Sequence, residues 1–267
     1  MAIVTTDDKH YKDIANALRE HIGVQEQYKP EDMAKRISIV HDEGFNSGYT
    51  GGLEDGKQAE YDRFWDAYQQ NGNRKEYRYA FGGDGWTDET FKPKYDLKPT
   101  GGNNMFAGFS VLGRNTSITE CLEQAGVTLD TSNCTNCQQM FYACRATEIP
   151  NINLGSATNA NSLFYDSGYL KKVEITVPES SPLTVYNGWF GGCKVLEDLT
   201  VNGVLKYSLD LKSSPLLTMA SVQSIIDHLK DLTGATAQTL TFHATVGAKL
   251  TDAQKATITA KNWQLVY

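Results

Sequence analysis

The sequence predicts an α+β chain with three parts: an N-terminal helical module, a repeat solenoid with parallel strands, and a C-terminal α/β cap. The main observation is a phrase built around a phenylalanine that recurs through the middle of the chain. The phenylalanines are Phe106, Phe141, Phe164 and Phe190, at steps of 35, 23 and 26 residues. A period of this length is typical of stacked supersecondary units that bury their apolar faces against neighbouring units.

A short run of aliphatic and β-branched residues follows three of these phenylalanines. In the run after Phe164, apolar residues alternate at Val173, Ile175 and Val177. Alternation with a period of two is the pattern of a β-strand with one buried face. We expect one short strand in each unit, and we expect the strands of successive units to pair in parallel. The runs cover residues 149–154, 170–177 and 196–201, inside a repeat region that we place at 105–213.

The first 40 residues predict a helical anchor module. Apolar residues recur at helical spacing in two stretches, which gives each predicted helix one apolar stripe. Two short helices bury little surface by themselves, so we expect this module to dock on a partner or on copies of itself. The residues that we assign to the anchor are Tyr11, Ile14, Leu18, Met33 and Ile37.

Residues 41–72 contain a row of glycines and then a predicted helix at 57–70 that carries four aromatic residues. The glycines are Gly44, Gly48, Gly52 and Gly56. If the row is helical, the glycines share one face, and each costs about 1 kcal/mol relative to alanine. Close approach between helices of separate copies would offset that cost, as faces of small residues do in membranes. This interpretation favours a homo-oligomer, above all a trimer. The alternatives are a flexible glycine-rich linker or a loop whose glycines have positive φ.

Residues 73–104 are rich in aromatic side chains and turn residues. We expect them to form a compact N-terminal cap, because the open end of a repeat array needs a shield against solvent. The alternative is a binding site for a sugar or a peptide, since aromatic residues at this density can also form one. The aromatic residues are Tyr77, Tyr79, Phe81, Trp86, Phe91 and Tyr95.

Residues 214–267 predict a C-terminal α/β cap. The Ser214–Pro215 pair is placed to begin a helix with one apolar stripe, and Gly234 is placed to end it. Residues 240–246 favour a last strand because aliphatic and aromatic residues recur there. Residues 251–254 form a capping box, which predicts a short helix that begins at this point.

The five cysteines allow two interpretations. They are Cys121, Cys134, Cys137, Cys144 and Cys193. The Cys134–Cys137 pair suits zinc, but a structural zinc site usually needs a second such pair, and the sequence has none. We favour small buried residues of the repeats, because Cys144 and Cys193 each come three residues after a repeat phenylalanine. The predicted repeat core is therefore Phe106, Phe141, Cys144, Phe164, Phe190 and Cys193.

Composition and motifs narrow the classes of function. The net charge is −7 and the basic residues are scattered, which argues against nucleic-acid binding. No apolar run is long enough to insert into a membrane, and the first residues lack the signal-peptide pattern, so we expect synthesis in a cytoplasm. Phosphate-binding loops, HExxH and GxSxG are missing. We therefore expect no enzymatic activity, no cofactor and no metal. The polar turn at 130–133 could suit a calcium site, but we favour side chains that form hydrogen bonds with the backbone of the turn itself.

The repeats resemble leucine-rich repeats of the BspA-like type. The resemblance lies in the polar turn at 130–136 and in the Met-Phe-Tyr-Ala-Cys core at 140–144, and it covers residues 105–210. The sequence departs from that family where Trp189 replaces the usual Met or Leu, and where the first unit is stretched to 35 residues. The resemblance implies a short solenoid with parallel strands.

The N-terminal part resembles tail and baseplate proteins of bacteriophages and prophages of Gram-positive gut bacteria. The similar stretches are residues 11–19, 28–34, 64–69 and 85–91. This resemblance implies a virion component that is assembled in the host cytoplasm. Its N-terminus would contact other virion proteins, and its repeat domain would face outward toward a host cell-surface receptor or a neighbouring virion protein.

Together these observations predict a structural protein of a phage tail, baseplate or fibre that takes part in host attachment. One alternative is a bacterial surface adhesin with BspA-like repeats, against which the missing signal-peptide pattern argues. A second alternative is a glycan-active enzyme that uses the aromatic segment. Such enzymes use a pair of carboxylic acids, and the sequence offers no convincing pair.

Overall fold

The computed structural model describes residues 62–83, 86–87, 90–111 and 116–267. In these ranges the chain is a mixed α/β protein with two small parallel sheets of three strands each. The predicted anchor and the predicted glycine row lie outside the described residues. They comprise Tyr11, Ile14, Leu18, Met33, Ile37, Gly44, Gly48, Gly52 and Gly56.

Helical residues 62–68 and the aromatic segment that follows them pack into one cluster of rings. Trp65 and Tyr68 are buried on the helical residues, and the ring centroid of Trp65 lies 5.9 Å from that of Trp86. Further buried aromatic residues of this cluster are Tyr77, Phe81 and Phe91. Because these rings cover one another, they are part of the core, and among the described aromatic residues of the segment only Tyr79 is largely exposed, at 55%.

The first sheet has the strand order β1-β2-β3, and all its pairs are parallel. The strands are β1, Glu148–Asn153; β2, Lys172–Val177; and β3, Asp198–Gly203. Val173 lies opposite Leu199, and both side chains are buried. The β1–β2 register shifts between Ile149 and Ile152, where Pro150 lacks the N–H that regular pairing uses. Each strand follows one of the repeat phenylalanines, as the sequence pattern predicts.

A helix that the sequence analysis missed, α1, covers Ile118–Ala125 and packs beside β1. The Ser117 hydroxyl accepts a hydrogen bond from the N–H of Glu120 at its start, and Gly126 ends it with a φ of 68°. The buried face of α1 includes Leu122. This helix occupies the long stretch between Phe106 and Phe141, so the 35-residue step is an insertion of one helix.

Helix α2, Met219–Asp227, packs beside β3 at the opposite edge of the first sheet. It begins later than predicted, because the Thr218 side chain accepts a hydrogen bond from the N–H of Ser221 and so caps the helix there. The Ser214–Pro215 pair therefore precedes the helix, and Gly234, with a φ of 80°, lies in a later turn.

The second sheet has the strand order β4-β5-β6 and is also parallel. The elements are β4, Leu209–Leu211; β5, Gln238–Phe242; α3, Ala244–Gly247; α4, Asp252–Ala260; and β6, Trp263–Val266. The predicted capping box is present, with reciprocal hydrogen bonds between Thr251 and Gln254. Val246, which we predicted to extend the last strand, lies in α3 because the His243 side chain caps a helical turn.

Candidate ligand-binding face

The recurring phenylalanines lie in turns whose rings form one buried stack. Phe106, Phe141, Phe164 and Phe190 are fully buried, with ring centroids 5.3, 5.6 and 5.2 Å apart along the stack. Phe81 extends the stack, at 5.1 Å from Phe106. Phe81 belongs by sequence to the aromatic segment, yet its turn takes the same position relative to the next turn as the other phenylalanine turns do.

Main-chain hydrogen bonds connect these five turns in register. The N–H of each phenylalanine donates to the carbonyl of the residue before the next phenylalanine. These bonds are Phe81 to Met105 at 2.7 Å, Phe106 to Met140 at 2.7 Å, Phe141 to Leu163 at 2.9 Å and Phe164 to Trp189 at 3.1 Å. Parallel bridges five residues before the phenylalanines join Glu76, Gly101, Asn136, Asn159 and Val185. The backbone of each turn is therefore fixed by its neighbours.

A row of threonines accompanies the stack, six residues before four of the phenylalanines. They are Thr100, Thr135, Thr158 and Thr184. The hydroxyl of Thr158 donates to the carbonyl of Thr135 at 3.0 Å, and the hydroxyl of Thr184 donates to the carbonyl of Thr158 at 3.1 Å. The fixed spacing Thr-x5-Phe is a sequence signal that could have defined the units, and the sequence analysis did not use it.

In the Phe141, Phe164 and Phe190 turns, the residue three positions after the phenylalanine is a small buried hydrogen-bond donor. The thiol of Cys193 donates to the carbonyl of Phe164 at 3.2 Å, and the hydroxyl of Ser167 donates to the carbonyl of Phe141 at 2.6 Å. Cys144 takes the same position and its thiol donates to Phe109. Burial raises the pKa of Cys144 and of Cys193 to about 12, so both thiols stay protonated at neutral pH.

The Cys134–Cys137 pair is buried and lies near the start of the Phe141 turn. A hydrogen bond between the two thiols lowers the pKa of Cys134 and raises that of Cys137. In the part of the chain that the structure describes, no three His, Cys, Asp or Glu side chains come together as a metal site. The Asp130 carboxylate accepts a hydrogen bond from the N–H of Ser132, so this polar turn bonds its own backbone.

The outward side of the five turns forms a surface that we call the turn face. Each turn contributes four residues to it. Two of them stand three and two positions before the phenylalanine, and the other two stand one and two positions after it. These are residues 78–79, 82–83, 103–104, 107–108, 138–139, 142–143, 161–162, 165–166, 187–188 and 191–192, and each is partly or largely exposed. The four positions make parallel rows, with one residue of each row in each turn.

The turn face is nearly free of charge, although 21% of the chain is charged. Arg78 and Asp166 are the only charged residues among its 20 members. Six members are amides and three are tyrosines. They are Asn103, Asn104, Gln138, Gln139, Asn161 and Asn187, with Tyr79, Tyr142 and Tyr165.

Two conformational requirements shape the turn face. The positions two before and two after each phenylalanine have positive φ in every turn, for example 52° at Gln139 and 50° at Ala143. At Gly192 a Cβ atom would lie 2.9 Å from the Cα of Asp166, so only glycine fits there. The backbone thus accepts strain at residues other than glycine in order to keep the turns in register.

Two of the three tyrosines of the turn face, Tyr142 and Tyr165, stack on each other. The rings of Tyr142 and Tyr165 are parallel within 4°, with centroids 5.9 Å apart. A Cβ atom on Gly191 would lie 2.7 Å from Cε2 of Tyr165, so the far face of that ring rests on the backbone of the next turn. The ring of Tyr165 therefore lies between Tyr142 and the backbone of Gly191, so its edge and hydroxyl group are presented outward. Tyr79, which is 55% exposed, takes no part in this stack.

Some amide side chains of the turn face form hydrogen bonds with other side chains of the protein, and others do not. The Oε1 atom of Gln138 accepts a hydrogen bond from Nδ2 of Asn159 at 3.2 Å, and Nδ2 of Asn161 donates to the Ser162 hydroxyl at 3.3 Å. The side chains of Asn103 and Asn187 make no hydrogen bond to another described residue. These amides therefore offer both donors and acceptors to a ligand.

The outer face of the first sheet has a different chemistry. Lys172 forms an ion pair with Glu148 at 2.7 Å between Nζ and Oε1, and Nδ2 of Asn202 donates to Oε1 of Glu174 at 2.5 Å. Its polar side chains include charged groups that pair with one another or with an amide, and neutral groups such as the Thr176 hydroxyl, which donates to Oδ1 of Asn151 at 3.0 Å. This face has the character of an ordinary solvated surface, in contrast to the turn face.

A groove of about 410 Å³ lies between α1 and β1. Its floor includes the apolar side chains of Leu122 and Val127, and its rim includes Glu123, Asp130 and Asn151. The groove shares no lining residue with the turn face.

No protein-family model, no curated protein and no solved structure matches this chain. Among the described residues, no helix is long and apolar enough to cross a membrane.

Proposed function

We propose that this chain is a non-enzymatic structural protein of a bacteriophage tail, baseplate or fibre. The N-terminal residues would attach it to other virion proteins, and the repeat region would be presented outward in the virion for contact with a host surface or a virion protein. The N-terminal resemblance to phage tail proteins supports the location, and the turn face supports the binding role.

We further propose that the repeat region is a short solenoid of the BspA-like leucine-rich-repeat type. In support, β1, β2 and β3 begin seven, eight and eight residues after Phe141, Phe164 and Phe190. Each unit thus combines a phenylalanine turn with one parallel strand, and the turn stack adds Phe81 and Phe106 as earlier members. We also retain the proposal of a trimer that packs along Gly44, Gly48, Gly52 and Gly56.

The observation that carries the binding role is the low charge of the turn face. Exposed surfaces of soluble proteins are usually about 25–35% charged, because charge keeps a protein soluble and monomeric. A surface depleted in charge and enriched in tyrosine has the composition of an interface core. A purely structural repeat array would not need such a surface on its turns.

The virion role can be tested with particles induced from a culture that carries this gene. Mass spectrometry of particles purified by density gradient should detect the chain, and antibodies against the protein should label the tail or baseplate in electron micrographs. If the chain is absent from particles and is found instead in the cell envelope of the producing bacterium, the virion proposal fails and the adhesin alternative takes its place.

A further inference from the structure

We infer that the turn face binds a neutral polysaccharide that lies along the direction in which the turns repeat. This inference rests on the proposed host-surface role and names the class of ligand. It follows from the charge, the hydrogen-bonding groups and the spacing of the turn face.

The charge of the turn face favours an uncharged polar ligand. Arg78 lies in the Phe81 turn and Asp166 lies in the Phe164 turn. All other members of the turn face are uncharged. An anionic or cationic ligand that covered these rows would lose water around its charges and gain no partner of opposite sign. An uncharged ligand does not carry that cost.

The hydrogen-bonding groups favour a ligand rich in hydroxyls. An amide side chain presents two N–H donors and a carbonyl acceptor, and a sugar hydroxyl both donates and accepts. The row three positions before the phenylalanines is made of amides in four consecutive turns, namely Asn103, Gln138, Asn161 and Asn187. Each turn can therefore make the same pair of contacts with a hydroxyl-bearing unit.

The spacing favours a polymer over a single sugar. Successive phenylalanine rings are 5.1 to 5.6 Å apart, and the turns share that interval, which is close to the length of one pyranose residue in a chain. A linear polysaccharide can thus present one residue to each turn. Weak contacts that repeat along one chain add up to a much higher affinity than any one of them gives.

A protein partner fits this face less well. Protein interfaces gain most of their affinity from large anchors, such as Trp, Tyr and Arg, that enter pockets on the other side. On the turn face, Tyr142 and Tyr165 already pack against each other, and Tyr165 also packs against Gly191. They contribute ring edges and hydroxyls, which suit sugar hydroxyls and sugar C–H groups.

The test uses the full-length protein and an immobilised array of neutral and acidic bacterial polysaccharides. We expect binding to at least one neutral polysaccharide, and at least tenfold weaker binding to its trisaccharide fragment than to fragments that span four turns. Asn161→Lys should weaken this binding at least tenfold, because it places an unpaired cation in the middle of the neutral rows. Asn187→Lys is a second variant in case Asn161→Lys does not fold, as judged by circular dichroism.

Gln264→Lys is the matched control, because it makes the same amide-to-lysine change at an exposed position of β6. It should bind as the unchanged protein does. Binding to no neutral polysaccharide, binding without dependence on fragment length, or equal binding by the turn-face variants and the control would each overturn the inference.

A binding experiment with host cells distinguishes failure of this inference from failure of the proposed function. One outcome is that the protein is found in particles and binds host cells, but neither periodate oxidation of the cells nor Asn161→Lys reduces the binding. In that case the virion role stands, the polysaccharide inference is wrong, and the receptor is a protein. If polysaccharide binding holds while the chain is absent from particles, the polysaccharide inference stands and the virion role falls.

Discussion

At the scale of single residues, cysteine and serine are used for the same purpose in the repeat turns. Cys193 and Ser167 occupy the same position in successive turns, and each donates to the carbonyl of the phenylalanine in the turn before it. Both side chains are small enough to be fully buried there. What the turn requires is therefore a small side chain with one donor, and the chemistry of the thiol itself is not needed.

This interpretation predicts that the two residues can be exchanged. Cys193→Ser should change the free energy of unfolding by less than about 1 kcal/mol, because the donor is kept. Cys193→Ala should cost about 1–2 kcal/mol, because it removes the donor and leaves a small void. Urea unfolding followed by fluorescence measures both, with Ser167→Cys as the reciprocal control. Equal losses for Cys193→Ser and Cys193→Ala would show that the sulfur contributes through packing alone.

The sequence predicts some of these residue roles and not others. A recurring phrase is enough to predict that Phe141 or Cys144 belongs to a repeated environment, because spacing alone carries that information. Spacing does not reveal that the thiol donates a hydrogen bond. Phe81 was not recognised as a repeat phenylalanine, because Ala80 replaces the Met, Leu or Trp that precedes the others, and Lys75 stands where four other turns have threonine.

At the scale of secondary structure, both edges of the first sheet are covered. On β3, the N–H groups of Leu199 and Val201 donate to the hydroxyls of Ser221 and Ser224 of α2, at 2.9 and 3.0 Å. An uncovered edge strand would expose unpaired donors to other chains. Helix α2 therefore ends the sheet by offering side-chain acceptors in place of another strand.

Removal of these acceptors should weaken the edge. In the double variant Ser221→Ala/Ser224→Ala, two main-chain N–H groups of β3 lose their partners. We expect a loss of about 2–6 kcal/mol in the free energy of unfolding, at about 1–3 kcal/mol for each unpaired donor. Chemical denaturation measures the loss, and size-exclusion chromatography detects association through the freed edge.

The control for the edge variant is Ser180→Ala, at an exposed serine outside α2. It should leave both the unfolding free energy and the elution volume unchanged. If the double variant is as stable as Ser180→Ala, water replaces the serine hydroxyls and α2 covers the edge through packing only.

The helices and strands that could be predicted from the sequence are those whose signal lies within a few neighbouring residues. Alternating apolar residues predicted β2 and β3, and the capping box predicted α4, because both signals lie within a few residues. Helix α1 was missed because the long step between Phe106 and Phe141 was treated as one stretched unit. The start of α2 was misplaced because Thr218, rather than the Ser214–Pro215 pair, supplies the capping oxygen. The turn face was not predicted, since it exists only when five turns are in register.

At the scale of the whole molecule, the phenylalanine stack joins turns that are far apart in the sequence. Phe164 lies in the middle, with its ring 5.6 Å from Phe141 and 5.2 Å from Phe190. Main-chain hydrogen bonds connect the same turns. In a repeat array each unit is stabilised by its two neighbours, so the loss of one interface weakens the units on both sides of it.

Phe164→Ala should therefore destabilise the neighbouring turns as well as its own. We expect a cost of about 3–5 kcal/mol, because a fully buried aromatic ring is replaced by a cavity. Hydrogen exchange read by mass spectrometry should show loss of protection in the turns around Phe141 and Phe190. Phe242→Ala, at an equally buried ring of the second sheet, is the matched control and should lower protection in β5 while the turns keep theirs. If Phe164→Ala affects its own turn alone, the turns are independent, and the array that we propose to hold a polysaccharide would not behave as one rigid platform.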